Sequence, residues 1–345
     1  MLALQAVTPD DLARAVPEAT LAEARKLVAA VHRGEPVAAS SAVRRIAARA
    51  AAAAGHVPEL ALVAETASAI DPFVKYLLAA PDGARFEAVR IPLEHAGRFT
   101  VCVSSQVGCA LACAFCATGR LGLSRNLAAW EIVEQVRAVR ARLASGRIHG
   151  VVFQGMGEPL ANLDAVIQAI RVFCDPCALG IDARAITVCT AGLPGGIRRL
   201  AAEVPHVRLA ISIASAIPAH RRAVMPIAER HELDAVIAAA ADHARATGLA
   251  PMWAVTLLDG VNDGDADARA LADRALAFRA ATGIRPRISV LDYNPIGAGD
   301  PFVRSPRMAA FRAVLSAAGL ASHRRYSGGS DVAAACGQLA AGGAL

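Results

Sequence analysis

Residues 102–116 read CVSSQVGCALACAFC and hold four of the eight cysteines in a chain of 345 residues. Cys109, Cys113 and Cys116 have the spacing C-x3-C-x2-C, and Cys102 stands seven residues ahead of them. Three thiolates offer three ligands. A structural zinc ion closes with four, so zinc here would need a distant fourth. A [4Fe–4S] cube held by three cysteines leaves one iron open to another ligand. The group follows the β-branched run FTVCVS (99–104) and precedes a helical stretch, which makes it a loop at the C-terminal end of a strand.

The same alternation continues to the C-terminus. Short apolar runs at 150–154, 185–190, 207–213, 252–258 and 287–293 read as strands. Amphipathic stretches near 127–144, 162–173, 195–203, 232–246, 266–281 and 306–318 read as helices. Strands alternating with helices imply parallel βαβ units. Six units predict an α/β fold of partial (β/α)6-barrel type, whose sites gather at the C-terminal strand ends. Ahead of this core, residues 9–54 look helical, with Asp10 or Asp11 as the first cap and a glycine stop after AEARKLVAAVHR. Residues 59–78 fit no single pattern, and PDGARFEAVRIPLE reads as a turn and an alternating strand. The expected division is a mainly helical accessory domain over 1–85, available for RNA contact, and a core over 86–345.

Composition narrows the setting. Hydrophobic residues make up 55% of the chain, enough for a large core. No apolar run reaches the ~18 residues of a membrane span, and the N-terminus has no basic, then apolar, leader. We therefore expect a cytoplasmic monomer in which cysteines serve metal or redox chemistry rather than structural disulfides. The net charge is +6, and Lys26 and Lys75 are the only lysines. Arginine suits bidentate phosphate contacts, and the pair Arg324 and Arg325 is the foremost candidate for them. The pair Cys174 and Cys177 (CDPC) lacks further ligands nearby and reads as structural.

C-x3-C-x2-C with Phe115 before the last cysteine, after the first core strand, resembles the radical S-adenosylmethionine superfamily. GMGEP (155–159) lies where that superfamily carries its GGE-like motif. Over residues 86–341, CVSSQVGCALACAFC, RNL (125–127), GMGEPLAN, LLDGVND (257–263), YNP (293–295) and AACGQLA (334–340) resemble the RlmN/Cfr family of RNA methyltransferases. That resemblance implies methylation of an adenosine ring carbon, C2 ahead of C8, in 23S ribosomal RNA and in transfer RNA. It implies one [4Fe–4S] cluster on Cys109, Cys113 and Cys116, S-adenosylmethionine, and an electron donor of flavodoxin or ferredoxin type.

The resemblance also assigns roles. Cys336 carries the methyl group, Cys102 expels the product through a transient Cys102–Cys336 disulfide, and Glu87 takes the ring proton. Glu94 is a rival for that last role, because the alignment crosses an insertion at 93–97. Gly157 and Glu158, Cys189, Ser212, Ile213 and Ala214, and Asn294 match S-adenosylmethionine contacts. Two departures stand out. Cys189 replaces the usual serine, and Ser212-Ile213-Ala214 replaces Ser-Leu-His. The alternatives are a radical methyltransferase acting on a small molecule or peptide, and a non-catalytic iron–sulfur or zinc RNA-binding protein.

Overall fold

The computed structural model describes residues 1–297 and 299–340. The last five residues of the expected core, 341–345, lie outside them. The described residues form one ten-stranded sheet whose strands follow one another in chain order. We number them β1 (Ala61–Ala67), β2 (Val74–Ala79), β3 (Arg85–Pro92), β4 (Arg98–Val103), β5 (Arg147–Phe153), β6 (Ile186–Thr190), β7 (Arg208–Ser212), β8 (Met252–Leu257), β9 (Arg287–Asp292) and β10 (Ser322–Arg325). β1 to β4 pair antiparallel, and β4 to β10 pair parallel.

Six of the parallel strands are those expected. The seventh, β10, is not: its sequence SHRR is polar and half exposed, so it has no apolar alternation to announce it. It is held instead by backbone pairing of Ile288–Leu291 with Ser322–Arg325 at the sheet edge. The helices between the strands include Leu163–Cys174, Leu233–Thr247 and Asp265–Thr282. Their apolar faces and the strands bury one continuous core, in which Trp253 meets Phe278 edge-on at 5.4 Å.

Residues 59–78, ambiguous in sequence, supply β1 and β2. Ahead of them, helices Pro9–Ala15, Leu21–Arg33 and Arg45–Ala54 bury a separate apolar cluster around Leu12, Leu27, Val28 and Ala47. The first cap is Thr8 rather than Asp10 or Asp11. Its hydroxyl accepts from the Asp11 N–H, and the Asp11 carboxylate accepts from the Thr8 N–H, a reciprocal box. Gly34 ends the second helix at φ 77°, as the glycine stop requires. Cys177 packs against this cluster, and its N–H donates to Asp175 Oδ1 at 2.7 Å. CDPC is thus a packed turn.

Candidate active site

β4 runs straight into the cysteine loop, and the loop is wound tightly. Ser104 is fully buried. Its N–H donates to Gln135 Oε1 at 2.7 Å and its hydroxyl to the Glu87 carbonyl at 2.6 Å. Gln106–Gly108 then pairs antiparallel with Leu123–Asn126. A Cβ on Gly108 would stand 1.8 Å from the Gly122 carbonyl oxygen, so only glycine fits. Between the first two cluster cysteines, Ala112 takes φ 51°, a conformation that costs about 1 kcal/mol or more outside glycine. Ala214 and Ala333 take the same unusual conformation, and all three flank the site.

Two cavities adjoin at the C-terminal ends of the parallel strands. Cys109, Cys113, Cys116, Glu158 and Cys189 line the first. Cys102, Phe73, Arg325 and Tyr326 line the second. Cys116, Gln154, Gly155, Cys336 and Gly337 line both. The segment bearing Cys336 is stitched down from several sides. Its Gly337 carbonyl accepts from the Ala117 N–H at 2.7 Å, and its Leu339 carbonyl from the Thr118 hydroxyl at 2.6 Å. Cys336 N–H donates to Ser327 Oγ at 2.7 Å.

The cluster thiols share an environment that resists ionisation. Burial pushes Cys109 up to about 11, and burial with neighbouring sulfur charge raises Cys113; burial also raises Cys116. Such thiols favour a partner that takes them as thiolates and neutralises them. No group of three or more His, Cys, Asp or Glu among the described residues could hold a single metal ion. Three thiols spread around one cavity suit a cube, which presents a separate iron to each.

The other expected site residues fall as follows. Gly157 (φ 99°), Glu158, Cys189, Ser212 and Ala214 line the cluster cavity. Glu158 Oε1 accepts from the Leu160 N–H at 3.0 Å and Oε2 from the Ala191 N–H at 2.8 Å. Burial raises the Glu158 carboxyl. Ile213 is buried in the core and lines neither cavity. Asn294 is buried, and its side-chain amide donates to the Cys336 carbonyl at 3.3 Å. Cys102 is 8% exposed and lies level with Val89 and Val152.

Glu87 is 1% exposed on β3. Its carboxylate meets Lys75 Nζ at 3.2 Å and accepts from the Ala340 N–H at 2.8 Å. It lies two residues along the strand from Val89, which lines the second cavity. Glu94 is exposed in the turn between β3 and β4, at the opposite end of those strands.

Three residues take places at the site that the sequence did not signal. Gln106 Oε1 accepts from the Glu158 N–H at 2.8 Å. Arg221, outwardly half of an ordinary surface pair, is 1% exposed. It donates to the carbonyls of Ala191 (2.7 Å), Ser212 (2.8 Å) and Ile213, bracing two strand ends, and burial lowers its pKa to about 10. Arg221→Met leaves those carbonyls without that donor. We expect a stability loss of about 3 kcal/mol, seen as a lower denaturant midpoint. Arg325 lines the second cavity, while Arg324 pairs with Asp292 at 2.6 Å.

The comparisons agree with this geometry. Residues 103–272 match the model of the Radical SAM superfamily. A probable RNA methyltransferase of Sorangium cellulosum is 59% identical over 96% of this chain and 90% of its own. The dual-specificity RNA methyltransferase RlmN of Syntrophobacter fumaroxidans is 43% identical over 77% of this chain and 76% of its own. The crystal structure of a radical SAM methyltransferase from Sphaerobacter thermophilus superposes with a TM-score of 0.87 at 34% identity, covering 99% of this chain and 100% of that one. Similarity this high along most of both chains reflects common descent, and the protein belongs to the RlmN/Cfr family of radical S-adenosylmethionine RNA methyltransferases.

Proposed function

We propose that this enzyme methylates ring carbon C2 of an adenosine in RNA, both large-subunit ribosomal and transfer RNA, through a methyl group carried on Cys336. One observation carries the reading: Cys336 lines both cavities, with the cluster cysteines in one and Cys102 in the other. The [4Fe–4S] cluster, which we assign to Cys109, Cys113 and Cys116, and S-adenosylmethionine supply the methyl group, an electron and a 5′-deoxyadenosyl radical when bound. Gly157, Glu158 and the strand ends at Cys189 and Ser212–Ala214 would hold S-adenosylmethionine.

Cys336 acts first as a thiolate nucleophile: its thiol proton leaves to solvent, and its S–CH3 bond would form as the methyl–sulfonium bond of S-adenosylmethionine breaks and S-adenosylhomocysteine departs. Once its methyl carbon is bonded to the adenine ring, the Cys102 thiolate attacks the Cys336 sulfur. An S–S bond forms, the S–C bond breaks, the released methylene carbon takes a proton from solvent, and the base departs with its new methyl group. Glu87 takes the ring proton; it stands at the cavity end of β3, where Glu94 does not. A cytosolic dithiol reductant returns the pair to thiols, and a flavodoxin or ferredoxin type of protein supplies the electron. The accessory section over 1–85 contributes RNA contacts.

Among the described residues no helix is long and apolar enough to cross a membrane, in keeping with a cytoplasmic site of action. The deciding experiment compares modified nucleosides of RNA from a deletion strain and its parent. Loss of 2-methyladenosine is expected; an unchanged nucleoside profile rejects the RNA assignment. In parallel, the protein reconstituted anaerobically should yield 5′-deoxyadenosine, and its Cys336 peptide should carry an added methyl after S-adenosylmethionine loading.

A further inference from the structure

Both thiol steps need a sulfur anion, and a buried site opposes one. Burial, with the charges of Cys336 and Cys189, raises the Cys102 thiol. Among the described residues lining the two cavities, one side chain is cationic: Arg325. It ends β10, level with Leu291 on β9. Its Nη2 donates to Gln154 Oε1 at 2.5 Å. Its Nη1 is buried and has no hydrogen-bond partner. Gln154 in turn lines the second cavity beside Cys102 and both cavities beside Cys336. The guanidinium is thus held at the wall of the cavity that Cys102 and Cys336 share. Burial works against the Arg325 charge, yet the sulfurs of Cys336, Cys189 and Cys102 outweigh it and raise the guanidinium's hold on its proton. An RNA phosphate would need this group at the surface; a donor turned inward among thiols serves sulfur.

We propose that Arg325 is a positioning residue of the thiol chemistry, its unpartnered Nη1–H stabilising the attacking sulfur anion of Cys102 and, in its turn, of Cys336. The inference rests on the roles given to those cysteines above. The proton lost is the thiol's own, which goes to solvent; Arg325 keeps its protons, and no further reactant is needed.

The test uses the full chain with its cluster, as wild type, Arg325→Lys and Arg325→Met. Iodoacetamide labelling is followed by peptide mass spectrometry at one near-neutral pH. The decision is taken on Cys102, and Cys174 in the same digest serves as reference. Loss of a nearby cation cuts the thiolate fraction by roughly ten- to a hundredfold, and the greater nucleophilicity of the more basic thiolate recovers about half of that on a logarithmic scale. Arg325→Met should therefore label Cys102 about three- to tenfold more slowly. Arg325→Lys should recover most of the rate, and Cys174 should not change. Equal Cys102 rates in all three proteins overturn the proposal. So does slowing in Arg325→Met that lysine does not rescue, because packing alone would then explain it. If Arg325→Met does not fold, Arg325→Gln replaces it under the same criteria. No RNA enters the assay, so a failed adenosine assignment leaves the result standing.

Discussion

Cys102→Ala protein, given S-adenosylmethionine, reductant and RNA, is expected to stop with RNA bonded to Cys336. Methyl loading of Cys336 and formation of 5′-deoxyadenosine do not need Cys102, so both proceed. Release does need it, because the S–C bond opens only when a second sulfur attacks. Steady-state turnover should fall by roughly 10³-fold or more, as when a covalent catalyst loses a reacting group. One equivalent of RNA should run with the protein through denaturing electrophoresis and stay attached when thiol is added, as a thioether does and a disulfide does not. The rival sulfur is Cys189, which shares the first cavity with Cys336. Strand register separates it from the position it would have to fill. Cys102 is level with Val152, and Val152 with Thr187. Cys189 is therefore two strands across and two residues further on, roughly 12 Å away at the α carbons. Any slow release that survives Cys102→Ala should vanish in Cys102→Ala/Cys189→Ala. Wild-type turnover by Cys102→Ala would remove Cys102 from the reaction.

The cysteine loop was legible because its chemistry is local: three ligands within eight residues need no fold to bring them together. The six apolar strands were legible for a similar reason, since each carries its own β-branched run. What could not be read depends on neighbours distant in the chain. β10 is a strand because β9 offers it an edge, and its sequence SHRR says nothing of this. Arg221 and Arg325 each sit in an arginine pair of the kind that usually faces water, yet each is drawn inward by carbonyls or thiols that other strand ends supply. Gln154 ends an apolar run with no motif of its own, yet it holds Arg325 at the cavity that Cys102 lines. Thr8 outcompeted Asp10 and Asp11 as the first cap because a capping box needs its hydroxyl three residues before a carboxylate, and Asp11 lies at that distance from Thr8.

The tightest of the glycines lining the first cavity is Gly157, and on the proposed assignment Gly157→Ala should damage both folding and S-adenosylmethionine binding. Gly157 holds φ 99°, where an L side chain is strained by about 1–3 kcal/mol. The added methyl would also stand 2.6 Å from Gln106 Cβ and 2.9 Å from the Gln106 backbone nitrogen. Gln106 cannot retreat cheaply. Its backbone is paired in the hairpin with Asn126, its amide donates to Asn126 Oδ1 at 2.7 Å, and its Oε1 holds the Glu158 N–H. Overpacking of this kind adds roughly 1–3 kcal/mol. The combined loss of about 2–5 kcal/mol should appear as a lower denaturant midpoint. Movement of Gln106 also shifts Glu158, whose two carboxylate oxygens are fixed by the Leu160 and Ala191 N–H groups. A displacement there should weaken S-adenosylmethionine binding by roughly tenfold or more, since about 1.4 kcal/mol suffices for each factor of ten. Equilibrium dialysis of the reconstituted variant checks this. A Gly157→Ala protein with unchanged stability and affinity would show that this strand end does not hold the cofactor in the way its geometry implies.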